Sequence, residues 1–191
     1  MHQSEAWGPV EEPNDGQVVA RVIAGDREAY RVLVQRYQDM LYRHAARMTG
    51  HSDVAADLVQ TALVKAYTQI DRCRKPDRFG AWLFRILANC CKDHLKDRRR
   101  RDISLDAYPE PVAARERSNP AVELERSELG VVIERALAML PDIQREAFLL
   151  KHVEGLSYEE ISEMLDVSIS ALKMRVLRAR EALKSVLEEV L

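Results

Sequence analysis

Two clusters of cationic side chains are the most promising functional residues in this sequence. Their charge suits them to bind a polyanion. The stretch Arg85–Arg101 holds seven Lys or Arg against two Asp, and a second cluster runs from Lys173 to Arg180. Because the whole chain has a formal net charge of -2, any nucleic-acid surface must be local. Four consecutive arginines, Arg98–Arg101, would repel one another on an isolated helix. A solvated helix end is the alternative interpretation, but it accounts better for one or two arginines than for four.

Catalytic and metal chemistry have little support in the same sequence. His44, His51, His94 and His152 are scattered, and no Ser or Cys is paired with a positioned base. There is no glycine-rich phosphate loop and no carboxylate cluster. We therefore predict that the protein is not an enzyme and that it holds no cofactor and no metal.

The cysteines leave one alternative open. Cys73, Cys90 and Cys91 are odd in number, which does not suit a disulfide framework. Cys90 and His94 lie one helical turn apart, a spacing that could share a metal. The competing interpretation, which we favour, is that these thiols are buried as small apolar side chains.

Two short helices joined by a tight turn must position the second cationic cluster. Ser157 and Glu160 have the spacing of a capping box, and Asp166-Val167-Ser168 is turn material with Ser168 able to cap a second helix. The second helix should bury the apolar residues Ile169, Leu172, Val176, Ala179 and Leu183. We expect DNA contacts from the other side, at Ser168, Ser170, Ala171, Lys173, Met174, Arg175, Arg178 and Arg180. This is the pattern of a helix-turn-helix, although a two-helix hairpin that binds no DNA could look the same.

The remaining helical patterns place the first cationic cluster at the end of a four-helix unit. Helices are predicted from about Gln17, after Asp26, from Ser52 or Asp53, and from about Phe79 to Arg100. A basic loop, Asp71–Arg78, precedes the last of these. The periodicity predicts an all-α fold with almost no strand.

The chain as a whole divides into four parts. We expect a flexible acidic arm over residues 1–16, a helical domain over 17–101, a linker over 102–120 with three prolines, and a second helical domain over 121–191 that ends in the helix-turn-helix. No stretch approaches the length of a membrane span, and the first residues lack the pattern of a signal peptide. The expected location is the cytoplasm.

Motifs in both domains resemble the bacterial sigma factors of the extracytoplasmic-function (ECF) group. In the second domain they include Leu140-Pro141, the segment Glu154–Ile161, and Leu172-Lys173 followed by Arg175, Arg178, Ala179 and Arg180. In the first they include Gly25-Asp26 with Ala29-Tyr30, Asp57–Gln60, Trp82–Ile86, Asn89 and Asp93–Leu95. The resemblance covers about residues 17–100 and 121–187. The family often carries Gly in the turn where this chain has Asp166.

The resemblance implies a role for each domain. The helix-turn-helix would read the minus-thirty-five promoter element as duplex. The fourth helix and its preceding loop would melt and capture the minus-ten element, through Arg74, Lys75, Arg78, Arg85, Asn89, Lys92, Lys96 and Arg98. The third helix would dock on core RNA polymerase through Asp57, Leu58, Gln60 and Thr61. The implied partners are core RNA polymerase, promoter DNA and an anti-sigma factor, with no membrane insertion of the chain itself.

Two rival functions remain at this point. A stand-alone regulator could use the helix-turn-helix to bind a palindrome as a dimer. The second basic helix and the long linker argue against it, because a dimeric repressor needs neither. An interaction protein that binds through apolar helical faces is compatible with a sigma factor, and we expect such faces where the two domains meet.

Overall fold

The computed structural model describes residues 13–104 and 128–190, and its regular elements are helices. The N-terminal half contains α1 (Asp15–Ile23), α2 (Tyr30–Thr49), α3 (Ser52–Thr68) and α4 (Phe79–Ser104). The C-terminal half contains α5 (Glu128–Met139), α6 (Asp142–Phe148), α7 (Tyr158–Leu165) and α8 (Ile169–Val190). Single turns connect them, of 3-10 type at Arg27–Ala29, Ile70–Arg72 and Pro76–Arg78 and of π type at Leu149–Val153. The all-α prediction is confirmed for the described residues.

Helices α2, α3 and α4 pack around the core of the N-terminal half. Leu33 and Leu41 of α2 and Phe84 of α4 are fully buried there. The close packing of α2 on α4 leaves little room at Gly80, because a Cβ there would lie 2.7 Å from the ring of Tyr37. The fold thus holds α4 on α2 and α3 by its apolar side and leaves its polar side for other contacts.

Most helix ends agree with the sequence patterns. Asp26 caps the turn before α2, and Gly50 ends α2 with a φ of 74°, a left-handed conformation that suits glycine. Helix α1 begins two residues earlier than expected, because Asn14 and Gln17 form a capping box. Helix α4 continues to Ser104, into the segment predicted to be linker.

The C-terminal half is built on the helix-turn-helix. Ile161 of α7 and Leu172 and Val176 of α8 are buried, and α8 also packs against α5 and α6. A separate apolar cluster joins Ala136 and Leu140 to Ala179 and Leu183. The long α8 is therefore held along its length by α5, α6 and α7.

The buried apolar residues continue from one half into the other. Met48 of α2, Leu95 of α4 and Leu149 form one buried cluster. The guanidinium of Arg145, on α6, donates a 2.7 Å hydrogen bond to the carbonyl oxygen of Met48. The apolar faces expected to be spare where the domains meet are thus packed against each other.

Parts of several predictions lie outside the described residues. These are the acidic arm up to residue 12, the linker from residue 105 to 120, and the expected start of the second domain over 121–127. Within 13–104 and 128–190, no helix combines the length and apolar character needed to cross a bilayer.

Candidate nucleic-acid interface

The helix-turn-helix forms as the local sequence predicts. The Ser157 hydroxyl accepts a 3.1 Å hydrogen bond from the Glu160 backbone N–H, and the Glu160 carboxylate accepts a 2.8 Å bond from the Ser157 N–H. This reciprocal pair lowers the pKa of Glu160. Asp166 occupies the turn with a φ of 56°, the left-handed conformation that glycine often supplies in the family. The Ser168 hydroxyl then accepts a bond from the Ala171 N–H and starts α8.

The outer side of α8 presents the residues predicted to meet DNA. Ser170, Met174 and Arg178 follow one another at intervals of four residues and are exposed, Met174 at 48%. Lys173 is exposed on one flank and lies over the ring of Tyr158, 5.8 Å from its centroid. Ala171 and Arg175 are half-buried on the other flank. The geometry therefore brings most of the predicted set onto one accessible ridge.

Arg180 lies about two turns beyond Lys173 on the same flank of α8. It lines a groove of about 1140 Å³ between α5 and α8, together with Ile133, Phe148, His152 and Leu177. The pKa of His152 is lowered by partial burial and by the charge of Arg180. Arg180 was predicted to contact DNA with the others, and the structure leaves it exposed beside this groove, so its part in DNA binding stays a prediction.

Helix α4 and the turn before it carry a row of cations at intervals of seven residues, Arg78, Arg85, Lys92 and Arg99. Seven residues are almost two helical turns, so these side chains share one face. Each faces an acidic side chain of the C-terminal half: Arg78 lies 2.6 Å from Glu163, Arg85 2.8 Å from Asp166, Lys92 3.3 Å from Glu146, and Arg99 2.5 Å from Asp142. We call these four pairs the interdomain ladder. The sequence analysis did not single out Arg99, although the interval from Arg85 through Lys92 points to it.

The Lys92–Glu146 pair is the step of the interdomain ladder whose acidic side chain is buried. The Glu146 side chain is 1% exposed, and neither of its oxygens makes a hydrogen bond of good geometry. Burial raises the pKa of Glu146, and the nearby charges of Lys92 and Arg175 oppose that rise. A buried carboxylate needs a facing cation, and Lys92 supplies it.

The other predicted minus-ten residues lie around the interdomain ladder. Arg74, Asn89 and Lys96 are exposed, and Lys75 reaches Glu163 at 3.8 Å. Arg98 is turned toward the start of α3, where its Nη1 lies 3.2 Å from Nε2 of His51. The structure thus separates Arg98 from the row of cations that its position in the sequence suggests.

The residues predicted to dock on polymerase lie along α3. Asp57, Gln60 and Thr61 are exposed, and Leu58 is half-buried against the core. A groove of about 840 Å³ runs between α2 and α3, and Gln60 is the member of this set that lines it. Tyr42 and Val64 line the same groove with large exposed apolar surface, Val64 at 56%. In the sequence, Val64 is an apolar residue outside the apolar stripe of α3, and this signal could have identified the surface.

The cysteines are all buried and unpaired in the described structure. Burial raises the pKa of the Cys91 thiol to about 12, and Cys90 Sγ lies 3.5 Å from the amine of Lys65. Among the described residues, no group of three or more His, Cys, Asp or Glu is placed to hold a metal ion. The buried apolar role fits these thiols.

Comparison with known proteins matches both halves of the chain. The pattern of sigma-70 region 2 matches residues 33–101, and that of sigma-70 region 4 matches residues 131–183. The chain is 34% identical over 188 residues to the ECF RNA polymerase sigma-E factor of Escherichia coli, covering 95% of this chain and 98% of that protein. It is 32% identical over 184 residues to the RNA polymerase sigma-H factor of Pseudomonas aeruginosa, covering 93% and 95% of the two chains.

Solved structures agree with these matches. The sigma factor RpoE, in complex with the anti-sigma factor NepR from Bartonella quintana, superposes with a TM-score of 0.65 at 30% identity over 83% of this chain and 96% of that one. CnrH, in complex with the cytosolic domain of CnrY, gives a TM-score of 0.68 at 28% identity over 92% and 97% of the two chains.

Proposed function

The chain belongs to the sigma-70 family of RNA polymerase sigma factors, within its ECF group, and from this premise we propose how its surfaces divide the work of promoter recognition. The C-terminal domain, residues 121–191, reads the minus-thirty-five element with α8. The N-terminal domain, residues 17–101, docks on core polymerase with α2 and α3 and engages the minus-ten element with α4. The observation that carries the proposal is the exposed ridge of α8, which stands on a correctly capped helix-turn-helix.

The α8 ridge suits duplex DNA. Its first turns carry small or neutral side chains, Ser170, Ala171 and Met174, which can approach base edges closely. Arg175 and Arg178 follow where a recognition helix meets bases and phosphates. Arg180, on the same flank of α8 as Lys173, stays in the proposed contact as a cation for the phosphate backbone.

The polar side of α4 suits a single strand. Its cations can follow the phosphate backbone, while the exposed amide of Asn89, between Arg85 and Lys92, can hydrogen-bond an unstacked base. The exposed Arg74 in the preceding loop extends the same surface. This surface becomes available when the cations of the interdomain ladder are released.

The groove between α2 and α3 is the proposed polymerase surface. Tyr42 and Val64 supply apolar contact area, and Gln60 supplies a hydrogen-bonding rim. Asp57 and Thr61, on adjacent turns of α3, extend that rim with polar groups. An apolar centre with a polar edge is the usual composition of a protein–protein contact.

Control by an anti-sigma factor is the proposed regulation, and the cytoplasm is the proposed location. The proteins RpoE and CnrH, which this chain resembles in structure, were each solved with a bound protein partner. Exposed apolar residues for such a partner, Ile133 and Leu177, lie at the groove between α5 and α8. We assign the chain no catalytic step of its own.

Association with core polymerase tests this function directly. The purified chain, mixed with bacterial core RNA polymerase, should co-elute with it and direct transcription from a pool of genomic promoter fragments. The new start sites should share two spaced motifs. Failure to bind core, together with sequence-specific DNA binding by the chain alone, would favour a stand-alone regulator instead.

A pair of matched variants sharpens the test of the docking groove. Val64→Asp places a charge in the groove, and Val153→Asp makes the same change at an exposed valine of the C-terminal half, 43% exposed. Val64→Asp should weaken core binding by about tenfold or more, because a buried interface charge without a partner is costly. Equal weakening by both variants would exclude the groove as the docking surface.

A further inference from the structure

The interdomain ladder covers the face of α4 that the proposed function needs. Arg85 and Lys92 belong to the set predicted to hold the minus-ten strand, and in the structure both face carboxylates of the C-terminal half. Adjacent cations in the row are about 10 Å apart along the helix axis. A row of four carboxylates meets these cations in order along the helix.

The acidic members come from three adjacent places in the C-terminal half. Asp142 and Glu146 lie one turn apart on α6, Glu163 lies on α7, and Asp166 lies in the turn between α7 and α8. Helix α7 packs directly against α4. The acidic set is therefore presented by rigid elements, and the helix-turn-helix itself supplies half of it.

Apolar contact and charge hold this arrangement together. The cluster of Met48, Leu95 and Leu149 spans both halves, and Arg47 lies 2.7 Å from Glu154. Three of the four pairs in the interdomain ladder are partly solvated, since the side chains of Arg78, Arg85 and Arg99 are 60%, 50% and 62% exposed. Such pairs are individually weak and are screened by salt, so a competing polyanion can displace them.

We propose that the C-terminal domain acts as an internal inhibitor of α4, in which Asp142, Glu146, Glu163 and Asp166 mimic a nucleic-acid backbone on its cationic face. This inference rests on the proposed function, because it concerns the same α4 surface. In the free chain the recognition ridge of α8 stays exposed while α4 is covered. Binding to DNA through α4 requires the two halves to separate, which lowers its apparent affinity by the fraction of chains that are open.

Neutralising the exposed end of the interdomain ladder tests the proposal. Glu163→Gln combined with Asp166→Asn removes the partners of Arg78, Lys75 and Arg85, and Asn tolerates the left-handed turn that Asp166 occupies. The probe is a fluorescein-labelled single-stranded DNA of mixed sequence, titrated with the full-length chain at low salt. The double variant should bind it about threefold to tenfold more tightly than the unmodified chain.

The matched control separates release of α4 from a simple change in net charge. Glu159→Gln with Glu181→Gln neutralises two exposed carboxylates of the same half that lie outside the interdomain ladder. This control should gain clearly less affinity for the single-stranded DNA than the Glu163→Gln/Asp166→Asn variant, which we call the ladder variant. Equal gains would overturn the proposal. Asp142→Asn, at the other end of the interdomain ladder, is an independent second variant and should also raise the affinity, but by less.

A further substitution shows which helix receives the strand. Adding Arg85→Gln to the ladder variant should cancel more of the gain than adding Arg178→Gln, because Arg85 lies on α4 and Arg178 on α8. The opposite order would mean that the gain arises at α8, and it would overturn the proposal. Core-polymerase binding is scored on the same preparations. A chain that binds core but shows no gain refutes the inhibition alone, whereas a chain that does not bind core refutes the proposed function.

Discussion

The two basic helices of this sigma factor differ in what surrounds their charges. Lys173 and Arg178 project from an exposed ridge of α8, a helix held by α5, α6 and α7. On α4, Arg85, Lys92 and Arg99 instead form a row of ion pairs with the other half of the chain. Similar charge patterns in sequence thus correspond to one open surface and one covered surface. The difference shows that a cationic pattern locates a binding face but does not show whether the free protein has it available.

The largest effect on stability is expected from a substitution at Arg145, which joins the two halves. Its buried guanidinium donates hydrogen bonds to the carbonyl oxygens of Met48, Ala138 and Leu140. Arg145→Met leaves these carbonyls without that donor and should lower the free energy of unfolding by about 3 kcal/mol. Urea unfolding followed by circular dichroism measures the loss.

The exposed Arg135 on α5 provides the control for Arg145. Arg135→Met makes the same chemical change on the surface and should alter the free energy of unfolding by less than about 0.5 kcal/mol. Similar losses for the two variants would show that the buried hydrogen bonds of Arg145 do not stabilise the fold.

The next prediction separates the two helices by the DNA they engage. Arg175→Ala with Arg178→Ala should weaken binding of the polymerase-bound factor to duplex carrying the upstream element by about thirtyfold, or about 2 kcal/mol. Asn89→Ala on α4 should leave duplex binding unchanged and reduce strand opening at the downstream element. Gel-shift assays measure the first effect and permanganate reactivity of unpaired thymines the second. Loss of core-polymerase binding in the Arg175/Arg178 variant would contradict this division of labour.

A third prediction places the sensitivity to acid in the N-terminal half. The His44 ring is fully buried with its centroid 4.7 Å from that of Phe84. Burial, with the charges of Arg47 and Lys92, lowers the pKa of His44 from 6.5 to about 3. The unfolded chain therefore takes up this proton first. The contribution of His44 to stability is complete above about pH 6.5 and is lost as the pH falls, by about 1.4 kcal/mol per pH unit.

His44→Phe should remove most of this slope between about pH 5 and pH 6.5, when the free energy of unfolding is measured across the range. His152→Gln is the counterpart in the C-terminal half. His152 is exposed, so its replacement should remove much less of the slope. A slope that persists in the His44 variant would mean that His44 does not remain neutral in the folded chain.

The smallest expected effect lies at the start of the helix-turn-helix. Ser157→Ala removes one half of the capping box and should cost about 1 kcal/mol of stability. Ser185→Ala, at an exposed position within α8, should cost only a few tenths of a kcal/mol. Thermal unfolding of the two variants gives the comparison, and equal melting temperatures would argue against the cap.

Local patterns explain why much of this fold can be predicted from sequence. The capping box of Ser157 and Glu160, the turn at Asp166 and the end of α2 at Gly50 each depend on residues within a few positions of one another. Family resemblance correctly identified the sigma factor class. It also supplied the roles of the DNA-facing and polymerase-facing residues, and these remain predictions.

The contacts that could not be predicted join residues far apart in the chain. Lys92 and Glu146, or Arg145 and Met48, meet because two halves pack, and no spacing within either helix encodes the partner. The position of Arg180 beside the α5–α8 groove likewise depends on how α8 is rotated against α5. Even so, the seven-residue interval that includes Arg99 was visible, and it marks the covered face of α4.

Covalent labelling of lysines in the free, full-length chain tests the contrast between the two helices most directly. Lys92 and Lys96 lie about one turn apart on α4, but Lys92 faces the buried Glu146 while Lys96 is exposed, as is Lys173 on α8. Acetylation rates read by mass spectrometry should show Lys92 reacting several-fold more slowly than Lys96 and Lys173. The Lys92 rate should rise when the chain is bound to core polymerase. Equal rates for Lys92 and Lys96 in the free chain would contradict a covered α4.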